Sequence, residues 1–146
     1  MNGSSKTDTS LTIVRTYNAT PEELWELWTA PEKLSQWHHA PGGSAQAETD
    51  VRVGGAYKIA MTDQSRWLVF GEFTEVDKPN KLVYSWQWQG YPDEVSQVTV
   101  LLKPLDKGTE LTLVHERLSG PDSVQAHSDG WLGVMENINQ CLEGSK

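Results

Sequence analysis

The sequence predicts an α+β fold: one curved antiparallel sheet of about six to seven strands wrapped on a long C-terminal helix, with two short helices after the first strand. Three observations predict it. Residues 45–118 break into short alternating segments whose separators are too brief to hold crossover helices, so neighbouring strands run antiparallel. Residues 20–36 carry two helix starts, each with a proline at the first helical position. Residues 121–143 carry an apolar stripe at helical spacing, long enough to cover the apolar face of such a sheet.

Taken in order, residues 1–10 are polar and without periodicity, and read as a mobile leader ahead of a single domain over residues 11–143. Residues 11–18 alternate as a strand, with Leu11 and Ile13 on one side and Thr12 and Val14 on the other. Thr20 then offers an N-cap, Pro21 suits the first turn, and Glu23 completes a capping box ahead of Leu24, Leu27 and Trp28. Pro31 ends that helix and opens a second over residues 31–36.

Strands follow at residues 45–51, 56–62, 67–76, 81–89, 95–104 and 109–118. They are divided by Gly54-Gly55, Asp63-Gln64, Asp77-Lys78-Pro79-Asn80, Gly90-Tyr91-Pro92-Asp93 and Asp106-Lys107-Gly108. The clearest alternation sets Leu82, Tyr84, Trp86 and Trp88 against Val83, Ser85, Gln87 and Gln89. In the last helix Val124, His127, Trp131, Val134, Met135, Ile138, Cys141 and Leu142 form the stripe. Gly130 and Gly133 each cost that helix about 1 kcal/mol against Ala, which predicts a close approach of sheet or ligand as compensation.

Composition narrows the function. Twenty acidic against twelve basic residues leave a net charge of -8, a sign that repels phosphate backbones and anionic lipid heads; nucleic acid and membrane surfaces are poor partners. No apolar run approaches the roughly 20 residues of a membrane span. A single cysteine, Cys141, forms no internal disulfide, which together with the missing signal-peptide pattern predicts a cytoplasmic protein. Tryptophan is the unusual feature: 7 Trp against 4 Tyr and 2 Phe, in a short chain, predict either an indole-rich core or a cavity lined by indoles.

Beyond these patterns, an ordered set of motifs resembles a known family. It runs from Ala19-Thr20-Pro21-Glu22-Glu23-Leu24-Trp25 and Thr29-Ala30-Pro31-Glu32-Lys33-Leu34-Ser35-Gln36-Trp37 through Asp50-Val51-Arg52-Val53-Gly54-Gly55-Ala56-Tyr57 and Gly71-Glu72-Phe73. It continues with Pro79-Asn80-Lys81-Leu82-Val83, Trp86, Trp88, Thr112-Leu113-Val114-His115-Glu116, and His127 through Gly130-Trp131. Over about residues 11–143 the chain resembles the START-like, or SRPBCC, superfamily with its helix-grip fold. Within it, the chain is similar to the branch related to the C-terminal domain of the activator of heat-shock-protein-90 ATPase. The resemblance implies a cavity between sheet and C-terminal helix, with ligand and activity varying among members. The eukaryotic cochaperone has a further N-terminal domain that this sequence does not include.

On this reading the chain is a binder of a small hydrophobic or aromatic molecule, with no cofactor and no metal. Trp86, Trp88, Trp131 and Met135, with Tyr57 and Met61, face the space between sheet and helix. His115 or His127 supplies a polar contact, and Trp37, His38 and His39 form a rim ahead of Pro41-Gly42-Gly43. The adjacent histidines lack the spacing of a zinc site. Two other function classes stand beside it. One is a cyclase- or hydrolase-type enzyme using His115, His127, Glu72 or Glu116 as acid–base groups, although no nucleophile or paired carboxylate accompanies them. The other is a cochaperone-like interaction module. As core histidines, His115 and His127 would be satisfied by a backbone or carboxylate partner, such as Glu116 or Glu72.

Overall fold

The computed structural model describes residues 3–39, 43–62 and 66–144. The chain order is β1 (Gly3–Lys6), β2 (Leu11–Tyr17), α1 (Pro21–Thr29), α2 (Pro31–Trp37), β3 (Ser44–Thr49), β4 (Ala56–Thr62), β5 (Arg66–Asp77), β6 (Lys81–Trp88), β7 (Ser96–Pro104), β8 (Thr109–Glu116) and α3 (Pro121–Gly144). All eight strands form one sheet in the order β1-β2-β8-β7-β6-β5-β4-β3, antiparallel at every step. The sheet thus has eight strands where six to seven are predicted. The extra one lies within the segment read as a leader: Gly3–Lys6 pairs along the edge of β2.

Local chemistry explains the helices. The Glu23 amide donates to Thr20 Oγ1 at 3.1 Å and the Thr20 amide donates to Glu23 Oε1 at 3.1 Å, a reciprocal cap that opens α1. Ala30, held extended (φ -75°, ψ 121°) ahead of Pro31, ends α1 and serves as the N-cap of α2. Tyr17, Leu24, Trp25, Leu27, Trp28, Leu34 and Trp37 are buried against the sheet's concave face. Each buried indole removes on the order of 200 Å² from water, an upper limit of about 5 kcal/mol of transfer free energy.

The register builds continuous apolar rows across the concave face. One row runs Leu11–His115–Val98–Tyr84–Phe73, and the next runs Ile13–Leu113–Val100–Leu82–Val76. A third, Ala47–Ile59–Val69–Trp88, leads toward the outermost row of Ala45, Met61 and Trp67. His115 is therefore placed by the pairing pattern in the middle of hydrocarbon. α3 covers these rows with Val124, Trp131, Met135, Ile138 and Leu142, all buried.

Close approach of the sheet, one of the two compensations expected at Gly130 and Gly133, does not occur among the described residues. A Cβ built on either one meets no heavy atom of the described residues within 4 Å, so no sheet or side chain presses on those backbones. Close approach does occur at Gly71, where a Cβ would collide with the Ser85 backbone. Pro41-Gly42, in the loop that follows the expected rim, and the Asp63-Gln64 turn lie outside the described residues. Among the described residues, no helix is long and apolar enough to cross a membrane.

Candidate functional site

Three elements bring polar side chains into one aromatic layer. The backbone leaving α2 turns at His38, whose amide still donates to Leu34 O at 3.1 Å. This turn sends the His38 imidazole inward to 3 % exposure, behind Trp37 at 0 %. Asn137 on α3 fixes the turn by donating from Nδ2 to Trp37 O (3.0 Å) and His39 O (2.9 Å). Strand β6 contributes Trp86 and Trp88 on its concave face, and α3 contributes His127 and Trp131, one helical turn apart.

The rings touch one another in a continuous ladder. Exposed Trp67 meets Trp88 at 5.7 Å between centroids, Trp88 meets Trp86 at 5.4 Å, and Trp86 meets His38 at 5.7 Å and Trp131 at 5.0 Å. Trp37 and Trp28, 4.4 Å apart, close the inner end. Tyr57 sits in a second group with Phe73 and Tyr84, joined to the first where Trp28 Nε1 donates to the Tyr84 hydroxyl at 3.1 Å. Met135 is buried beside the layer and Met61 is half-buried near its outer end.

Two histidines in the layer are fully engaged. Trp131 Nε1 donates to His115 Nδ1 at 2.9 Å, so the neutral ring carries its proton on Nε2 and donates it to Ser96 Oγ at 2.7 Å; Ser96 in turn donates to Trp86 O at 3.1 Å. Trp88 Nε1 donates to His127 Nε2 at 3.0 Å, leaving Nδ1 to donate to Ser123 O at 2.8 Å. Burial, reinforced by the nearby His127, drives the His115 imidazole well below its usual range. The partners of His115 are thus Ser96 and Trp131, in place of the expected Glu116 or Glu72. Glu116 follows His115 on the strand and points to the other face, and Glu72 is exposed on the convex side. The four acid–base candidates are not assembled: both ring nitrogens of His115 and of His127 already hold hydrogen bonds, and neither carboxylate joins them.

His38 differs. Among the described residues neither His38 Nδ1 nor Nε2 meets a hydrogen-bond partner, and the neighbouring Trp86 Nε1 also has none. Burial pushes its pKa down to about 4, so at neutral pH the ring is uncharged, with one N–H and one bare nitrogen facing an aromatic environment. An unpaired buried polar group costs about 1–3 kcal/mol, and three such atoms lie on these two neighbouring rings. The expected rim is corrected accordingly: Trp37 and His38 lie in the interior, and only His39 is partly exposed, its Nε2 3.0 Å from Gln36 O. An exposed polar pair is what bare adjacency suggests; the inward turn depends on Asn137, a residue 98 positions from His39 that carries no motif.

A separate hollow of about 420 Å³ opens between Asn18, Thr20, Pro21, Leu105 and Gly108. It lies at the turn end of the β7–β8 hairpin, whereas Ser96 and His115 lie at the open end, roughly 20 Å along the strands. Its polar cap, Thr20 with Glu23, is already satisfied. Among the described residues no three His, Cys, Asp or Glu side chains converge as metal ligands.

Comparison with known proteins places this architecture. The family model described as activator of Hsp90 ATPase homolog 1-like protein matches residues 18–143. The human activator of 90 kDa heat shock protein ATPase homolog 1 is 31% identical over 134 residues, 90% of this chain; the chain spans only 36% of that relative's length. Among solved structures, a protein from Rhodobacter sphaeroides aligns with a TM-score of 0.85 at 22% identity, covering 100% of this chain and 99% of that one. An HSP90 activator from Plasmodium falciparum aligns at 0.75 and 28% identity, covering 92% and 96%. With the match running from the end of β2, just ahead of α1, almost to the end of α3, the chain belongs to the activator of Hsp90 ATPase homolog 1-like family.

Proposed function

We propose that the chain binds a small hydrophobic or aromatic molecule between the sheet and α3. The observation that supports this reading is the group of unpartnered atoms on His38 and Trp86, set in a layer of indoles that reaches the surface at Trp67. A folded chain with about 1 kcal/mol at stake in each lost hydrogen bond gains by leaving donors and acceptors unpaired only if something else meets them. The rings are in contact, so a guest enters by parting Trp86, Trp88 and Trp131, with Met61 and Met135 as adaptable walls. Trp67, half exposed on the outermost strand row, marks the approach. His115 and His127 hold the walls in place.

Titrating a panel of uncharged aromatic and aliphatic molecules against intrinsic tryptophan fluorescence tests the reading. A binder produces saturable quenching and, at a ligand concentration 100 times the dissociation constant, adds about 2.7 kcal/mol to stability. If the whole panel leaves fluorescence and melting temperature unchanged, the reading fails.

A second reading, contact with a chaperone, is supported by the names of the human and Plasmodium relatives. Stimulation of an Hsp90 ATPase by the purified chain is its measurement, and no stimulation above the chaperone alone removes it.

A further inference from the structure

His38 and Trp86 define the polarity of the guest as well as its place. We propose that the site selects an uncharged planar aromatic carrying a hydroxyl, the hydroxyl donating to the bare nitrogen of His38 and accepting from Trp86 Nε1–H. This deepens the binding reading above and rests on it.

The chemistry of the unpaired atoms carries the selection. A neutral imidazole presents one donor and one acceptor, and the indole beside it presents a donor alone. The two ring centroids lie 5.7 Å apart and the ring planes only 32° from parallel, so the unpaired nitrogens sit on neighbouring rings. A hydroxyl is both donor and acceptor and meets the bare His38 nitrogen and the Trp86 N–H at once. A hydrocarbon satisfies neither. A ketone accepts from Trp86 but leaves the His38 lone pair unmet.

Charge is excluded by what surrounds the pair. The buried polar residues described are Thr29, His38, Ser96, Thr109, His115 and Ser128; no lysine or arginine is among them. A carboxylate entering this layer would lose its hydration without gaining a counter-ion, a cost of several kcal/mol. The His38 ring does not offer one by protonating, because the same burial holds it neutral. The net charge of -8 repels an anion before it arrives. The flanking rings of Trp86, Trp131 and Trp37 favour a flat guest over a branched or flexible one.

The experiment is isothermal titration calorimetry of the full chain with three molecules of one shape: naphthalene, naphthol and naphthoate. Naphthol is expected to bind about tenfold tighter than naphthalene, with naphthoate weaker than both. His38→Phe and Trp86→Phe are each expected to erase the advantage of naphthol over naphthalene. In the wild-type chain, the imidazole nitrogen resonances of ¹⁵N-labelled His38 should shift on adding naphthol and stay unmoved on adding naphthalene. Naphthol equal to naphthalene, or naphthoate equal to naphthol, overturns the selection while leaving a nonspecific apolar site standing. Absence of heat, and of any resonance shift, with all three overturns the binding reading itself.

Discussion

Trp131 on α3 donates its indole N–H to His115 Nδ1 on β8 across 2.9 Å, and both side chains are buried. This single bond fixes the histidine's tautomer and with it the direction of the next two bonds, through Ser96 to the Trp86 carbonyl. The grip of sheet on helix is polar at its centre as well as apolar around it. Trp131→Phe, which keeps an aromatic ring but removes the donor, should therefore cost about 1–3 kcal/mol by leaving His115 Nδ1 unpaired. A double-mutant cycle with His115→Leu, read by urea unfolding, should return a coupling of the same size. Strictly additive losses would show that the bond carries no net stability.

Acid should weaken the fold through the two buried histidines. His38 is held down to about 4 against 6.5 in the unfolded chain, so between those values the unfolded state binds the extra proton. Stability is full above about pH 6.5, falls as pH drops, and levels off below about pH 4, a loss of about 3 kcal/mol from His38 alone. His115 adds a loss of the same sign. Chemical denaturation of His38→Phe across this window should show a shallower slope than the wild-type chain; parallel slopes would mean that His38 titrates normally.

Glu94, in the loop between β6 and β7, ties down the start of α3: its Oε2 accepts from the Ser119 amide and the Ser123 hydroxyl, each at 2.7 Å. Partial burial alone would raise this carboxyl, but the bonds from Ser123 and Ser119 outweigh it and hold it below the usual value. Its contribution is therefore present above the unfolded carboxylate pKa and lost as pH falls through the lower, folded one. Glu94→Ala should destabilise by about 1 kcal/mol at neutral pH, as loss of a helix cap does. Amide exchange in the first turn of α3 should accelerate alongside; unchanged exchange there would argue against the tie.

Gly130 and Gly133 sit inside α3 with open space where a Cβ would go. Gly130→Ala and Gly133→Ala should each raise stability by about 0.5–1 kcal/mol through helix propensity. Thermal melts of the single variants check this, and a fall in melting temperature at either position would reveal a contact outside the described residues.

Much of the fold could be read before any coordinates. The capping box at Thr20 and Glu23, the prolines at 21 and 31, and the alternation along β6 and β8 are local signals, each produced by a few neighbouring residues and each found within a residue or two of its expected place. Gly3–Lys6 escaped because a short polar edge strand has no apolar face of its own; its pairing comes entirely from β2. Ser96, Ser123 and Asn137 escaped for a related reason. They are common surface residues by type, and only their partners make them structural.

By itself the sequence determined the α+β class, the order of β2 to β8 and of the helices, and the apolar face of strands such as β2 and β6, because periodicity and turn chemistry act over a handful of residues. Tertiary structure alone decided that His38 lies inside rather than on a rim, that His115 is locked between Ser96 and Trp131, and that the indoles stack ring on ring. Those outcomes depend on residues up to 100 positions apart meeting in space, as Asn137 meets Trp37, and no local pattern encodes such a meeting.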